Sequence, residues 1–393
     1  MPILEEPDLI APAKRHDGIS SMLAERVAAG DFPSAVYIVA ERGTVIYADA
    51  IGDAVREPET HPATLETIYD LASLTKPLVT GALCAGFVEL GELTLDSAVA
   101  NYLPEFDRAD KHHITVRQLL THTSGLPAWR PLYILTQGNK EAAVSAIANE
   151  RLDYKTGERV VYSDLGFIVL SFLLQRLTGT PFDGLAQREI IDRLCLKRTF
   201  FNPERAMRTG VAACETGNAY ERDMCERDFS AQPYSAWREG VVWGEVHDGN
   251  AYFLGGAAGH AGLFSTASDT LRLANQFIGG LSELLSKDTC ELFRQNMTQG
   301  LNEARSFAWQ LAVTEDSTAG PSLPPDAFGH TGFTGTSCWV DAEHWRVFIL
   351  LTNRTHAHAL PFTNINAVRR EFHTLAVSAL DEAAGQASAS RLR

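Results

Sequence analysis

The stretch SLTKPLVTGALCAGFVELG, residues 73–91, has the pattern of a helix that begins at Ser73. Pro77 falls in the predicted first turn, where a missing backbone N–H costs no helical hydrogen bond, and Gly91 suits the helix end. Apolar side chains recur at helical spacing at Leu83, Phe87 and Leu90. The pattern therefore predicts a helix with one face in the protein core.

Outward from this helix, both ends of the chain have strand patterns. The stretch SAVYIVAERGTVIYADA, residues 34–50, consists of two β-rich runs around a turn at Arg42 and Gly43, which predicts a hairpin. Near the C-terminus SFAWQLAVT, GTSCWVDAE and WRVFILLTN are also typical of strands, and residues 364–382 have a helical pattern. We therefore expect the first and the last strands to share one sheet.

The middle of the chain is mostly helical in pattern. Candidate helices are residues 115–122, 141–150, 164–178, 183–194, 268–279 and 288–296. The predicted fold class is α/β, with a sheet domain of residues 1–90 plus 300–393 and a mainly helical domain of residues 91–299 inserted between them. A cleft between two such parts is the default place for a functional site.

The composition limits the class of protein and its partners. The chain has 393 residues, of which 45% are hydrophobic and 21% charged, which excludes a disordered chain, a coiled coil and a collagen. The net charge of -15 argues against a nucleic-acid partner. No apolar run approaches the ~20 residues of a membrane span, and residues 1–18 lack a leader pattern, so we expect a cytoplasmic protein with no membrane partner.

The six cysteines contain no C-x-x-C pair, so we expect neither a disulfide framework nor a metal site. The fingerprints G-x-x-x-x-G-K-[ST], H-E-x-x-H and G-x-S-x-G are also missing. Ser73 and Lys76, by contrast, lie three residues apart at a helix start and therefore share one face. A desolvated lysine helps to remove the serine proton, and N–H groups of the helix start stabilise an oxyanion.

Two further motifs follow in the chain. Tyr162-Ser163-Asp164 precedes the helical run LGFIVLSFLLQRL, and His330-Thr331-Gly332 precedes a predicted strand. With Ser73-Leu74-Thr75-Lys76, this order resembles the serine β-lactamase and penicillin-binding-protein superfamily. The resemblance covers about residues 20–375.

The resemblance is strongest to the branch of class C β-lactamases, D,D-peptidases and family VIII carboxylesterases. LLTHTSGLP at residues 119–127 and GEVHDGNAYFLGGAAGHAGLFSTASD at residues 244–269 are similar to that branch, the latter to a penicillin-binding protein 4B-like subgroup. The implied fold is β-lactamase/transpeptidase-like, an antiparallel sheet flanked by helices plus the inserted helical domain.

The resemblance also implies roles for individual residues. Ser73 would be the acylated nucleophile, Lys76 its proton partner, and Tyr162 a second proton relay that reaches the leaving group. The backbone N–H groups of Ser73 and Phe333 would form the oxyanion hole. The reaction would need no metal and no organic cofactor.

The motif His330-Thr331-Gly332 stands where the superfamily usually has Lys-Thr-Gly, on a strand that lines the cleft and binds substrate. The usual lysine is a cation that helps to bind a β-lactam or peptide carboxylate. A neutral His330 would supply a hydrogen bond without the charge. This departure favours an esterase or amidase over a β-lactamase.

The second departure is Asp164, which stands where the superfamily usually has an asparagine. An ionised aspartate accepts hydrogen bonds only, so one donor to a substrate carbonyl is lost. We expect Asp164 to pair with Lys76 and hold it as an ammonium. Tyr162 would then be the working base, with its pKa below the usual ~10 because of the adjacent cation; Lys76 or a shared proton is the alternative.

Three other groups of residues point less specifically to a function. His122 has turn residues as neighbours and is predicted to be structural. His247, Asp248 and His260 are metal-ligand types, but their spacing matches no site, and a glycine-rich loop bordering the cleft is the preferred interpretation. Arg354 is expected either to reach a substrate carboxylate or to form a salt bridge at a strand end.

The sequence therefore predicts a serine hydrolase that acts through an acyl-enzyme on a small-molecule acyl substrate, a carboxylic ester or amide. The alternative enzymes are a β-lactamase and a D,D-carboxypeptidase or D-aminopeptidase. The alternative of another class is a non-turnover acyl-binding sensor or a structural relative. The sequence leaves the oligomeric state unknown.

The first prediction concerns Ser73. A fluorophosphonate should label the wild type and not Ser73→Ala, because only an activated serine hydroxyl attacks the reagent. Labelling is measured by intact-protein mass spectrometry, and circular dichroism checks that the fold of Ser73→Ala is unchanged. Equal labelling of both proteins would show that Ser73 is not the nucleophile.

Overall fold

A computed structural model describes residues 14–229 and 234–391, with side chains described up to residue 385. The expectation that there is no leader rests mostly on residues 1–13, which lie outside the described residues. The strands are β1 Ser34–Glu41, β2 Thr44–Val55, β3 His61–Pro62, β4 Tyr69–Asp70, β5 Phe200–Phe201, β6 Leu263–Ser265, β7 Gln310–Leu311, β8 Phe328–Thr331, β9 Ser337–Asp341 and β10 Arg346–Thr352.

The α-helices follow the same order along the chain. They are α1 Asp17–Ala29, α2 Ala82–Glu89, α3 Val116–Leu120, α4 Leu132–Leu135, α5 Ala143–Asn149, α6 Asp164–Thr178, α7 Phe182–Ala186, α8 Ala219–Asp228, α9 Gly249–Phe253, α10 Ala267–Asn275, α11 Lys287–Glu291 and α12 Asn366–Arg391. The predicted mixture of a sheet and helices is confirmed.

The large sheet has seven strands in the order β3-β2-β1-β10-β9-β8-β7, and its neighbouring strands are antiparallel. β1 pairs with β10, with Ala35 opposite Thr352 and Glu41 opposite Arg346. The prediction that the first and last strands share a sheet is therefore confirmed. Every strand of this sheet lies outside residues 91–299, whereas the domain boundaries themselves stay a prediction.

Both faces of the central strands are buried, which explains their continuous apolar sequence. On one face of β1 the buried side chains are Val36, Ile38 and Ala40, which belong to the core shared with the helical middle. On the other face they are Ala35, Tyr37 and Val39, which pack with side chains of α1 and α12. The sheet is thus the middle layer between two sets of helices.

The segment of residues 73–91 differs from the predicted single helix. A 3₁₀ turn spans Ala72–Leu74, a π-helical segment spans Lys76–Gly81, and only Ala82–Glu89 is α-helical. The packing at the end of the π-helical segment is close, since a Cβ on Gly81 would lie 2.8 Å from that of Ala308. The prediction of residues 164–178 as a helix is confirmed by α6, which Ser163 caps by accepting from the N–H of Gly166.

Other predicted elements are shorter in the structure. The strand predicted over residues 306–314 is reduced to β7, and the helix predicted over residues 288–296 is reduced to α11. Among the described residues, no single helix is long and apolar enough to cross a membrane, and one bent pair, α6 with Phe182–Ile191, passes that test on length and composition alone.

The second prediction tests the central strand. Ile38→Ala should lower the free energy of unfolding by about 2–5 kcal/mol, because it empties a fully buried site opposite Ile349. Leu90→Ala is the matched control, since Leu90 is 70% exposed, and it should change that free energy by no more than about 0.5 kcal/mol. Urea unfolding followed by circular dichroism measures both, and equal effects would contradict this account of the core.

Candidate active site

A cleft of about 570 Å³ lies between the sheet and the helical middle. It is lined by all of the predicted site residues except Lys76, namely Ser73, Tyr162, Asp164, His330, Thr331, Gly332 and Phe333. Lys76 lies beside them with no exposed surface. The structure therefore brings the three sequence motifs together at one cleft.

The turn before Ser73 is held in an unusual backbone conformation. Ala72 has a φ of 48°, in the left-handed region that non-glycine residues rarely adopt. Asp70 accepts a hydrogen bond from the N–H of Ala72 at 2.8 Å, and Thr75 donates to the carbonyl of Ala72 at 2.7 Å. These contacts fix the strained turn that presents Ser73 to the cleft.

Lys76 donates to an acceptor on each of three separate segments. Its Nζ lies 3.0 Å from Ser73 Oγ, 3.0 Å from the carbonyl oxygen of His260 and 2.7 Å from Asp164 Oδ1. Burial is the largest single effect and lowers the pKa of Lys76, but the interactions with Asp164 and Tyr162 together outweigh it, and the net pKa is raised. All three N–H groups of an ammonium are thus used, and the predicted Lys76–Asp164 pair is confirmed.

Tyr162 completes a triangle with Ser73 and Lys76. Its hydroxyl donates to Ser73 Oγ at 2.8 Å, and the Lys76 ammonium lies 4.9 Å from the centre of its ring. Burial raises the pKa of Tyr162 by more than the cation lowers it. The expectation of a pKa below the usual value is therefore wrong, because desolvation of the phenolate outweighs the attraction of Lys76.

The ring of His122 packs against the ring of Tyr162. His122 is a buried turn residue with a φ of 57°, and its Nδ1 accepts from the N–H of Ser163 at 3.0 Å. Its ring centre lies 4.7 Å from that of Tyr162. The prediction of a structural role is confirmed, and the residue also fixes the start of α6, where Asp164 stands.

His330 is neutral in this environment. Its Nδ1 lies 2.8 Å from the carbonyl oxygen of Thr331, which can only accept, so Nδ1 carries the proton. Burial, followed by the charges of Arg305 and Lys76, holds the pKa of His330 well below its usual value. The expected neutral histidine is confirmed, and its Nε2 keeps a free lone pair.

Arg305 is a cleft residue that the sequence analysis missed. It is 5% exposed, and its guanidinium carbon lies 5.9 Å from the centre of the Tyr162 ring. Its Nη2 pairs with Glu303 at 2.6 Å, whereas Nε and Nη1 are buried and have no hydrogen-bond acceptor among the described residues. Arg305 belongs to no local motif, so no sequence signal pointed to it.

The loop that follows β8 is packed tightly against the turn that precedes Ser73. A Cβ on Gly332 would lie 2.0 Å from Thr336 Oγ1 and 2.5 Å from the carbonyl oxygen of Leu71. Only glycine fits this close approach. Phe333 N–H donates to no acceptor among the described residues, so it is free for the predicted oxyanion role, which stays a prediction.

The segment of residues 244–269 borders the cleft, where His247, Asp248 and Ala261 line it. Within it, His260 Nε2 lies 2.8 Å from Asp248 Oδ1, and the carbonyl of His260 accepts from Lys76. No cluster of residues able to hold a metal ion occurs in the part of the chain that the structure describes. The segment thus supports Lys76, a role that the sequence analysis did not find.

Comparison with known proteins identifies the family of this chain. A sequence model described as Beta-lactamase matches residues 19–370. The N-acetylmuramyl-L-alanine amidase of Bacillus subtilis (strain 168) is 31% identical over 361 residues, which cover 86% of this chain and 80% of that protein.

Solved structures share the fold. EstCE1, a hydrolase with promiscuous acyltransferase activity, has a TM-score of 0.69 at 24% identity and covers 90% of this chain and 97% of its own. A penicillin-binding protein homologue from Caulobacter crescentus has a TM-score of 0.70 at 20% identity, with 93% and 99% covered. The chain therefore belongs to the β-lactamase family of serine hydrolases.

Proposed function

We propose that this hydrolase cleaves an amide bond in small acyl substrates that carry a carboxylate near the scissile carbonyl, through an acyl-enzyme on Ser73. The observation that carries the substrate class is Arg305, a cleft-lining cation that is 5% exposed and keeps Nε and Nη1 without acceptors. Buried donors without partners are costly, and a substrate carboxylate would satisfy them. The amidase name of the Bacillus subtilis relative supports the choice of an amide.

Arg305 also changes one premise of the preference for an esterase or amidase over a β-lactamase. That preference assumed that the cleft has no cation where His330 replaces the usual lysine. Arg305 and His330 line the same cleft, and after burial the charge of Arg305 is the next largest cause that lowers the pKa of His330. Carboxylate recognition is thus compatible with a neutral His330.

The proton path follows from the triangle of Ser73, Lys76 and Tyr162. Lys76 is held as an ammonium by Asp164, so the base that takes the Ser73 proton is the ionised form of Tyr162, 2.8 Å away. Tyr162 then returns this proton to the leaving group, and water hydrolyses the acyl-enzyme. Because burial raises the pKa of Tyr162, the ionised form is scarce at neutral pH and the rate rises with pH.

Hydrolysis of short-chain esters is the second candidate function. Asp164 favours it, since a carboxylate at this place provides no donor to an acylamide carbonyl. Asp164 is engaged by Lys76 at 2.7 Å, so its acceptor capacity is used for the cation. An ester with a good leaving group needs less help from donors than an amide does.

The third prediction concerns the pH dependence of kcat/KM. Asp164 raises the pKa of both Lys76 and Tyr162, so Asp164→Asn should lower the pH at which the pair loses its first proton. The rising limb of the pH–rate profile should move to lower pH, because the active form is the deprotonated pair. Initial rates between pH 6 and about 10 on one substrate measure the profile.

Asp96→Asn is the control, since Asp96 is exposed and pairs with Arg117; its profile should match the wild type. The proposed proton path would be contradicted if the rising limb of the pH–rate profile of Asp164→Asn lies at the same pH as that of the wild type or at a higher pH. Tyr162→Phe identifies the base: a loss of at least ~10² in kcat assigns it to Tyr162. Near-wild-type activity would assign it to Lys76.

The fourth prediction tests the substrate class. Arg305→Gln should lower kcat/KM for an N-acyl-D-alanyl-D-alanine about tenfold to hundredfold, because the bond to the carboxylate is lost. The same peptide with a C-terminal carboxamide, and p-nitrophenyl butyrate, should be affected much less. Arg305→Lys, which keeps the charge, should recover part of the activity on the free acid.

Arg117→Gln is the matched control, since it removes an exposed guanidinium that is paired with Asp96. It should leave all three rates unchanged. Equal losses for Arg305→Gln on the free acid and on the carboxamide would contradict carboxylate recognition. A wild type that turns over p-nitrophenyl butyrate and neither peptide would favour the second candidate function.

A further inference from the structure

Two arginines lie behind the loop that carries Phe333. Arg369 stands in the first turn of α12, and its Nη2 donates to the carbonyl of Gly332 at 2.8 Å. Arg354 follows β10, and its Nε donates to the carbonyl of Phe333 at 2.7 Å. The two carbonyls on either side of the Phe333 N–H thus each accept from a guanidinium.

These two cations have no anionic partner. Among the described residues, no carboxylate pairs with Arg354 or Arg369. Arg369 is 5% exposed, and burial, followed by the charge of Arg354, lowers the pKa of Arg369 to about 9. Holding a buried and a half-buried cation side by side without a counter-charge is unfavourable, so their positive field acts on the peptide groups that they contact.

We infer that Arg369, assisted by Arg354, is a positioning residue that polarises the peptide unit joining Gly332 to Phe333 and makes the Phe333 N–H a stronger donor to the oxyanion. The inference rests on the proposed function, in which Phe333 N–H contributes to the oxyanion hole. A charged donor on the carbonyl of a peptide unit strengthens the hydrogen bond that its N–H makes, since the two bonds polarise each other.

The contacts of Arg369 keep this arrangement rigid. Nη2 also donates to the carbonyl of Thr336 at 3.0 Å, and Nη1 donates to Asn366 Oδ1 at 2.9 Å. Thr336 in turn donates from Oγ1 to the carbonyl of Leu71 at 3.0 Å, two residues before Ser73. The polarised peptide unit is therefore fixed relative to the nucleophile turn.

Direct binding of a substrate carboxylate is the competing role for Arg369. Its Nη1 and Nη2 already donate to protein acceptors, and its Nε is buried without a hydrogen-bond partner. A substrate group that bound Nη1 or Nη2 would have to displace the contact with Asn366 or with the carbonyl oxygens, and Nε has no exposed surface. The geometry thus favours action through the Gly332 carbonyl.

The experiment compares Arg369→Gln, Arg369→Lys and Arg354→Gln with the wild type. It measures kcat and KM for p-nitrophenyl butyrate and the inhibition constant of phenylboronic acid, neither of which carries a carboxylate. Arg369→Gln should lower kcat and weaken boronate binding in parallel, each about tenfold, with KM nearly unchanged, because only the tetrahedral state bears the oxyanion. Arg369→Lys should recover part of both, and Arg354→Gln should have a smaller effect of the same kind.

Arg346→Gln is the matched control. Its side chain is 11% exposed and pairs with Glu41 and Asp381 at 2.8 Å, away from the cleft lining. It should leave kcat and boronate binding unchanged. Thermal unfolding of every variant separates a loss of stability from a loss of oxyanion stabilisation.

Unchanged kcat and boronate affinity in Arg369→Gln would overturn the inference. So would a loss seen with N-acyl-D-alanyl-D-alanine and not with p-nitrophenyl butyrate or the boronate, which would assign Arg369 to substrate binding. A rise in KM with kcat intact would overturn it as well. If the wild type itself is not acylated at Ser73, the proposed function falls and this inference with it; if acylation is intact but Arg369→Gln behaves as the wild type, only this inference falls.

Discussion

The cleft is organised around the buried ammonium of Lys76, whose three N–H groups all need hydrogen-bond acceptors. Lys76 has no exposed surface, and its three N–H groups are used by Ser73, by the carbonyl of His260 and by Asp164. The acceptors lie on the nucleophile turn, on the segment of residues 244–269 and at the start of α6. A buried cation without these acceptors would cost several kcal/mol. Lys76 therefore ties together three segments that are far apart in the sequence.

The second constraint is the close packing of the loop after β8 on the nucleophile turn. Gly332 leaves no room for a Cβ against Thr336 and Leu71, and Thr334 donates to the carbonyl of Asp70 at 2.8 Å. The pairing of β1 with β10 holds this loop on the same sheet that carries the N-terminal strands. The two N–H groups of the expected oxyanion hole are thus fixed by the sheet as well as by local contacts.

The charges of the cleft are arranged differently from the pattern of the superfamily motifs. A cation is lost where His330 stands, and Arg305 supplies one from a segment that no motif marks. An amide is lost where Asp164 stands, and the carboxylate there fixes the charge of Lys76. At each of the two positions where the chain departs from the superfamily motif, another residue of the cleft therefore interacts with the changed side chain: Arg305 with His330, and Lys76 with Asp164. The substrate class therefore depends on the whole set of charges around the cleft and not on one motif position.

Local patterns in the sequence determined α6, the first hairpin, the strands β9 and β10 and the three motifs, because helical periodicity, caps and turn residues act over a few neighbours. The tertiary structure alone decided the rest. Residues 73–91 divide into three helical types that the sequence pattern did not predict, and the His260 carbonyl that accepts from Lys76 lies 184 residues away. The pKa of Tyr162 went against expectation because burial is a property of the folded cleft, and desolvation there outweighs the nearby cation.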